Sequence, residues 1–220
     1  MVIIAITSVA LIATIVVVVV LLQRRGASTP PRPYFASRDM EMFDRYLNRA
    51  RVYFEYGSGA STLYAGTKPH IQKIYSVESD RAWAGKVRSQ VCSLPQVTLL
   101  FTDIHAKPNN WGYPGTTASR ADKIKYSSQI LRLPHRERQS IDFILIDGRF
   151  RVACCLKCFD IEGCVVAFDD FLDRPKYHVV LDYFDIIEST ADRRMVMLRK
   201  KRHIRAVPMD LIERYDVIPD

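Results

Sequence analysis

Two glycines follow a β-rich run at a spacing of two, and a carboxylate precedes the first of them by two residues. These residues are Glu55, Gly57 and Gly59, within segment 55–62 (EYGSGAST). Glycines at this spacing allow a sharp turn and close approach of the backbone to a ligand. Thr62 stands where a dinucleotide-binding loop would carry its third glycine. Because the carboxylate would repel a pyrophosphate, the loop favours a ligand with an ammonium group.

Acidic residues recur at the ends of five short β-rich runs, which cover residues 52–56, 74–78, 97–103, 141–147 and 164–170. The acids are Glu55, Glu78, Asp103, Asp147 and Asp169. Helical stretches separate the runs, at residues 61–65, 81–91, 121–133 and 151–159. Such alternation predicts a parallel sheet with helices on both faces. The acids then meet at the carboxyl ends of the strands, where such sheets bind ligands.

Further segments complete a doubly wound, mostly parallel α/β sheet of seven strands. Residues 35–50 have helical apolar spacing and are predicted to cover the first strand. A helix is expected at residues 177–184, and residues 185–188 and 194–200 are expected to form a terminal hairpin. Segment 104–120 interrupts the alternation of strands and helices and carries Trp111 and Tyr113. Its position after the third strand is typical of a substrate loop.

The N-terminal segment is apolar enough to cross a bilayer. Residues 2–22 carry no charge, and a helix of that length spans about 31 Å. A cleaved signal peptide is disfavoured because no basic residue precedes the run and Arg24-Arg25 follows it. The prediction is a transmembrane anchor at 1–23, a linker at 24–34 and one domain at 35–220. The two arginines favour a single-pass protein with its domain in the cytoplasm.

Charge and cysteine content limit the classes of partner. The formal net charge is +8, which favours anionic lipid or an acidic substrate. No specific nucleic-acid partner is predicted, since no recognition module is present. The five cysteines do not form a disulfide framework, because their number is odd and four of them are clustered. Cys155-x-x-Cys158 lacks a second ligand pair for zinc, so buried free thiols are expected.

The acid-x-Gly-x-Gly loop and the acids at successive strand ends resemble the class I, S-adenosylmethionine-dependent methyltransferases, which have a Rossmann-like fold. The resemblance covers about residues 50–200. It implies a cofactor site formed by Glu55, Gly57, Gly59, Ser61, Glu78 and Asp103. In that family the acid ending strand two, here Glu78, bonds the ribose hydroxyls. The acid ending strand three, here Asp103, contacts the adenine amine. S-adenosylmethionine has an ammonium and no phosphate, which suits Glu55.

A weaker similarity connects the fourth and fifth strand ends to the metal-dependent, catechol-type O-methyltransferases. It implies a Mg²⁺ ion held by Asp147, Asp169 and Asp170. The sequence departs from that pattern in two ways. The pair after strand five is acid-acid rather than acid-amide, and the catalytic lysine expected after Asp147 is missing. Residues 149–151 (RFR) occupy that stretch.

Methyl transfer is an in-line displacement that requires an oriented acceptor and sometimes removal of its proton. His178 and Asp147 are the predicted catalytic groups, and Arg149 and Arg151 could clamp an anionic acceptor. The alternative for His178 is an exposed histidine at the start of a helix.

The prediction is therefore a membrane-anchored methyltransferase that acts on oxygen. The lipid bilayer is its expected partner, with a small molecule or a lipid as acceptor. One alternative is a binding or scaffold protein that kept the fold without the chemistry. A second is an NAD-dependent oxidoreductase, which the two-glycine loop with its carboxylate disfavours.

Overall fold

The computed structural model describes residues 31–107, 110–192 and 194–219. The chain divides into two compact units, Met1–Pro31 and Arg32–Asp220, and the second holds every described helix and strand. The predicted membrane anchor at residues 1–23 and most of the linker at 24–34 lie outside the described residues. Within the described ranges, no helix is long and apolar enough to span a bilayer.

Seven strands form one sheet: β1 Val52–Tyr56, β2 Lys73–Glu78, β3 Val97–Phe101, β4 Phe143–Ile146, β5 Val165–Phe168, β6 Phe184–Ser189 and β7 Val196–Lys200. Their order across the sheet is β3-β2-β1-β4-β5-β7-β6. The first five strands are parallel, and β7 pairs antiparallel with both β5 and β6. The predicted seven-stranded, mostly parallel sheet is confirmed. The chain order reverses between β1 and β4, which creates a crevice at their carboxyl ends.

The helices are α1 Ser37–Leu47, α2 Ala60–Gly66, α3 Arg81–Val91, α4 Arg120–Ser127, α5 His135–Gln139, α6 Arg151–Leu156 and α7 Met209–Tyr215. The helix predicted at residues 121–133 is shorter, because α4 ends at Ser127 and a 3₁₀ turn follows over Ile130–Arg132. The helix predicted at residues 177–184 is a 3₁₀ helix over Pro175–Asp182. Neither α5 nor α7 was predicted. Helix α5 buries no residue and so has no apolar face to reveal it.

The central strands are buried on both faces, as their nearly unbroken apolar runs require. Strands β4 and β5 contain only buried residues. On one face, the ring of Phe43 in α1 lies 5.5 Å from that of Phe143 in β4. On the other face, Phe54 and Ile144 join a second core that includes most of α6. Four of the five free cysteines are buried, which agrees with the expectation of buried thiols.

A buried ion pair joins α6 to α4 and α7. Lys157, at the end of α6, donates to Asp216 Oδ1 at 2.5 Å and to the hydroxyls of Ser127 and Ser128 at 2.9 and 2.8 Å. The two charged side chains are only 5% and 4% exposed. Each charge therefore depends on the other for compensation, since little water reaches either one.

We expect Asp216→Asn to destabilise the domain by about 3–5 kcal/mol, because it leaves the Lys157 charge buried without its counter-ion. Urea unfolding measures the loss. The matched control is Glu162→Gln, which removes the acid of an exposed pair with Lys200 and should cost no more than about 1 kcal/mol. Equal losses for the two variants would contradict this account of the ion pair.

Candidate functional site

The carboxyl ends of β1 and β4 approach each other so closely that two glycines are required. Gly57 follows β1 with φ of +96°, and a Cβ there would lie 2.8 Å from the carbonyl oxygen of Asp147. Gly148 follows β4, and a Cβ there would lie 2.1 Å from the hydroxyl of Tyr126. The backbone of the predicted cofactor loop is thus fixed by packing within the protein itself.

Glu55 lies beneath this loop and is fully buried. Its carboxylate accepts hydrogen bonds from the hydroxyls of Tyr53 at 2.8 Å and Ser61 at 2.6 Å, and also from Thr62. Burial raises the pKa of Glu55, and the hydroxyl donors oppose that shift. Thr62 also accepts from the backbone N–H of Gly59 at 2.9 Å. The carboxylate therefore ties the start of α2 to β1, a role for Tyr53 and Thr62 that sequence reasoning missed.

Glu78, at the end of β2, contacts the same loop from its other side. Its Oε1 accepts from the backbone N–H groups of Ser79 and Asp80 at 2.6 and 2.7 Å. Its Oε2 accepts from the Ser58 hydroxyl at 2.8 Å. Burial raises the pKa of Glu78, while these donors favour the ionised form. The acid predicted to bind ribose thus lies beside the glycine loop.

Trp83 contacts the outer side of the glycine loop. This residue was not identified from the sequence. Its indole N–H donates to the carbonyl of Ser58 at 2.8 Å. A Cβ on Gly59 would lie 3.7 Å from the indole ring, which is an ordinary contact distance. Packing within the described protein therefore does not require glycine at position 59, in contrast to position 57.

A cavity of about 540 Å³ opens between the ends of β2 and β3. It is lined by Asp80, Arg81, Ala82, Asp103, His105 and Ala106. Asp103 accepts from the N–H of His105 at 2.8 Å and from the Arg81 guanidinium at 2.6 Å. These two donors lower the pKa of the Asp103 carboxyl. The third predicted cofactor acid therefore lies in a cavity that begins where β2 ends.

The described part of the 104–120 insertion packs against the ends of β2 and β4. A Cβ on Gly112 would lie 3.1 Å from the Ser79 hydroxyl and 3.9 Å from the Arg149 side chain. The Arg149 guanidinium lies 4.5 Å from the centre of the Tyr113 ring, within range of a cation–π interaction. Trp111 is 87% exposed. The segment predicted as a substrate loop therefore borders the site.

A buried arginine connects the acids at the ends of β4 and β5. Arg151 Nη2 donates to Asp147 Oδ1 at 3.0 Å, and its Nη1 donates to the carbonyl of Asp169 at 2.7 Å. Its Nε donates to the carbonyl of Gly148 at 3.0 Å. The side chain is only 4% exposed, and Nη1 lies 3.6 Å from Asp170 Oδ2. One guanidinium therefore holds both strand ends.

Asp170 contacts two further arginines. Arg194 donates to Oδ1 through two nitrogens, and Arg174 donates to Oδ2 at 2.8 Å. Burial opposes ionisation of Asp170, but the hydrogen bonds and charges of the arginines outweigh it and lower the pKa. Asp170 is therefore an ionised carboxylate surrounded by arginine side chains.

The acids assigned to Mg²⁺ are Asp147, Asp169 and Asp170. The structure brings all three together, as their positions after neighbouring strands predict. Their compensating charge comes from arginine, and the described residues contain no group of three or more His, Cys, Asp or Glu side chains that could hold a metal ion. The residues therefore do not fit Mg²⁺, and the predicted ion is not supported. Arg174 lies only four residues after Asp170, so sequence reasoning missed a local signal there, whereas Arg194 reaches Asp170 only through the fold.

Asp147 and Asp169 form a hydrogen-bonded pair of carboxyl groups. Burial, followed by the charges of Asp147 and Asp170, raises the pKa of Asp169 to about 7. Burial and the Asp170 charge also raise the pKa of Asp147, against the opposing charges of Arg151 and Arg149. Ionising both of these adjacent carboxyl groups is unfavourable, so the pair shares a proton near neutral pH.

His178 lies in the 3₁₀ helix after β5. Its Nε2 is 3.2 Å from the carbonyl oxygen of Phe171, and the two rings are 5.2 Å apart. The half-buried imidazole thus packs on the segment that follows the acid pair. Its predicted role as a base stays a prediction.

Comparisons with known proteins agree with this architecture. A methyltransferase-like protein from Silicibacter pomeroyi DSS-3 is 27% identical, with a TM-score of 0.73 over 86% of this chain and 98% of that chain. Two others have lower scores. Ribosomal protein L11 methylase from Lactobacillus delbrueckii subsp. bulgaricus is 13% identical, with a TM-score of 0.49 over 77% of this chain and 81% of that chain. The O-methyltransferase from Bacillus cereus in complex with SAH is 13% identical, with a TM-score of 0.48 over 83% and 89%.

The first of these likenesses extends over nearly the whole of the similar protein, whereas the other two add no detail of the site. No family model matches the chain, and no curated protein matches it significantly. The resemblance to class I, S-adenosylmethionine-dependent methyltransferases is confirmed.

The two glycines of the loop should respond differently to the same substitution. Gly57→Ala should destabilise the domain by about 1–3 kcal/mol, because the methyl group would meet backbone atoms at a left-handed φ. Gly59→Ala should change stability by less than about 0.5 kcal/mol, because its methyl group meets only the Trp83 ring at contact distance. Urea unfolding of both variants checks this, and a Gly59→Ala loss as large as that of Gly57→Ala would refute it.

The acid pair predicts a pH-dependent stability. Asp169 has a folded pKa of about 7 and an unfolded pKa of about 3.9, so the unfolded chain loses this proton first as the pH rises. The stabilising contribution is complete below the unfolded pKa and is lost as the pH rises to about 7. Asp169→Asn keeps the shape of the protonated acid and should gain stability relative to wild type between about pH 4 and pH 7. Parallel pH–stability curves for the two proteins would contradict the raised pKa.

Proposed function

We propose that this chain, which has the fold of class I methyltransferases, transfers a methyl group from S-adenosylmethionine to an acceptor oxygen. The observation that carries the proposal is the position of Glu78. Its carboxylate lies between the glycine loop and the cavity that contains Asp103. A ligand with a ribose, an adenine and a charged amino-acid end would extend along this row of strand ends.

Different residues would bind different parts of the cofactor. Glu78 would accept the ribose hydroxyls, and Asp103 would accept the adenine amine. Gly59 would allow the ligand close to the backbone, since its Cβ position is open apart from Trp83. Glu55 is enclosed by hydroxyl groups, so it would act by holding Ser61 and the start of α2 in place. When bound, S-adenosylmethionine supplies an electrophilic methyl group on its sulfonium.

The acceptor would lie at the ends of β4 and β5. The acceptor oxygen forms the new bond to carbon, the sulfonium carbon–sulfur bond breaks, and the acceptor proton must leave. Asp147 is the better placed acid to take this proton, because its side chain is 36% exposed while Asp169 is buried behind it. His178, next to this edge, is the second candidate. Tyr113 and Arg149 would border an anionic or aromatic acceptor.

The proposal includes attachment to a lipid bilayer through residues 1–23, with the domain on the cytoplasmic side. The sequence of that segment and Arg24-Arg25 support this. A small molecule or a membrane lipid would be the acceptor. The net charge of +8 would favour an anionic bilayer surface.

Isothermal titration of the full chain in detergent micelles tests the proposed function. S-adenosylmethionine and S-adenosylhomocysteine should bind with micromolar affinity. Glu78→Gln should weaken binding about 10–100-fold, because hydrogen bonds to a charged acceptor contribute about 1.5–3 kcal/mol. Glu162→Gln is the matched control, since it makes the same change in an exposed acid before β5, at the opposite edge of the sheet. It should bind as wild type does.

The alternatives predict other outcomes of this titration. If the folded wild-type chain binds neither S-adenosylmethionine nor S-adenosylhomocysteine, the proposed function is wrong. A response to NAD alone would favour the oxidoreductase. Binding without transfer to any acceptor would favour the scaffold protein. The ion pairs of Asp147 and Asp170 with arginine also fit that alternative.

A further inference from the structure

Three carboxyl groups at neighbouring strand ends require positive charge. Asp147 follows β4, and Asp169 and Asp170 follow β5, which pairs directly with β4. Asp169 is 8% exposed, and the side chain of Asp170 is 13% exposed. Carboxylates that are this close and this shielded from water repel one another unless a cation or a proton compensates them.

The compensating cations are built into the chain. Arg151 reaches both strand ends from the buried side. Its three side-chain nitrogens donate to Asp147 and Gly148 after β4 and to Asp169 after β5. Arg174 and Arg194 approach Asp170 from the outer side, with side chains that are 38% and 52% exposed. The planar guanidinium matches carboxylate geometry and stays charged at any working pH.

The same oxygens cannot also serve a metal ion. Mg²⁺ demands near-octahedral geometry, with oxygen ligands at about 2.0–2.1 Å. Both oxygens of Asp170 already accept from arginine, and one oxygen of Asp147 accepts from Arg151. A dication between these acids would also lie close to the Arg151 charge, which is itself 3.6 Å from Asp170 Oδ2. Attraction and repulsion would then act on the ion at similar distances.

We infer that Arg151, Arg174 and Arg194 occupy the place of a divalent cation at the acceptor end of the site, so that methyl transfer proceeds without one. Arg151 is then a positioning residue, which fixes the Asp147 carboxylate and the backbone of Asp169. This inference rests on the proposed function only where it concerns transfer; the exclusion of the cation stands on the ion pairs alone.

The test compares the thermal unfolding of the full chain in detergent with and without Mn²⁺, which serves as the probe cation. Wild type should show no saturable shift in Tm. Arg174→Gln combined with Arg194→Gln frees both oxygens of Asp170 while leaving the buried Arg151 in place. This double variant should show a Tm that rises with Mn²⁺ concentration. Adding Asp170→Asn to it should abolish the rise.

A second double variant controls for carboxylates freed elsewhere. Arg45→Gln with Lys200→Gln removes the cationic partners of Glu188 and Glu162, whose side chains are 35% and 75% exposed, and should give no Mn²⁺ response. A saturable Mn²⁺ shift in wild type that Asp147→Asn removes would overturn the inference. Absence of a shift in the folded Arg174→Gln, Arg194→Gln variant would overturn the part of the inference assigned to Arg174 and Arg194.

Titration of S-adenosylhomocysteine into EDTA-treated wild type separates this inference from the proposed function. Binding unchanged by EDTA supports the proposed function, and the Mn²⁺ response then decides the inference. Binding that is lost with EDTA and restored by Mg²⁺ or Mn²⁺ would overturn the inference and leave the proposed function standing. If the ligand never binds, the proposed function fails while the Mn²⁺ response still decides whether arginine excludes the cation.

Discussion

The charge of Arg151 is the constraint on which the ends of β4 and β5 depend. Strands β4 and β5 end in acids that repel one another unless a cation or a shared proton compensates them. Arg151 follows β4 by only a few residues and opens α6, so its guanidinium is buried directly behind both ends. Its hydrogen bonds to the carbonyls of Gly148 and Asp169 add backbone contacts to the charge pairing. The sheet, the helix and the acids therefore fix one another.

A second constraint shapes the half of the site beside β1. The close approach of β1 and β4 requires glycine at positions 57 and 148, because a side chain at either would meet backbone or a buried hydroxyl. The loop after β1 is then held from below by Glu55 and from the side by Glu78 and Trp83. A loop held on three sides presents its backbone in one conformation, which reduces the entropy lost when a ligand binds.

The sequence predicted the parts of this arrangement that depend on local pattern. Apolar runs ending in acids specify parallel strands and their common edge, so the sheet and the grouping of Asp147 with Asp169 followed directly. Only part of the counter-charge was open to local reasoning, because Arg151 and Arg174 each follow an acid they contact by four residues. Arg194 lies 24 residues beyond Asp170 and reaches it only after β7 pairs with β5. The Mg²⁺ prediction is not supported, because it counted the acids without the arginines that contact them. Trp83 was missed similarly, since its bond to Ser58 joins two separate loops.

Acceptor capacity distinguishes the acids that are free to meet a ligand from those that serve the fold. An ionised carboxylate offers about four lone-pair sites. Glu78 accepts at least three hydrogen bonds and Asp103 accepts two, so Asp103 retains the larger capacity for a further donor. Asp170 accepts three hydrogen bonds from arginine and lies near Arg151 as well, so its charge is already matched by cations. Acceptor capacity therefore differs most between Asp103, after β3, and Asp170, whose arginine partners support the ends of β4 and β5.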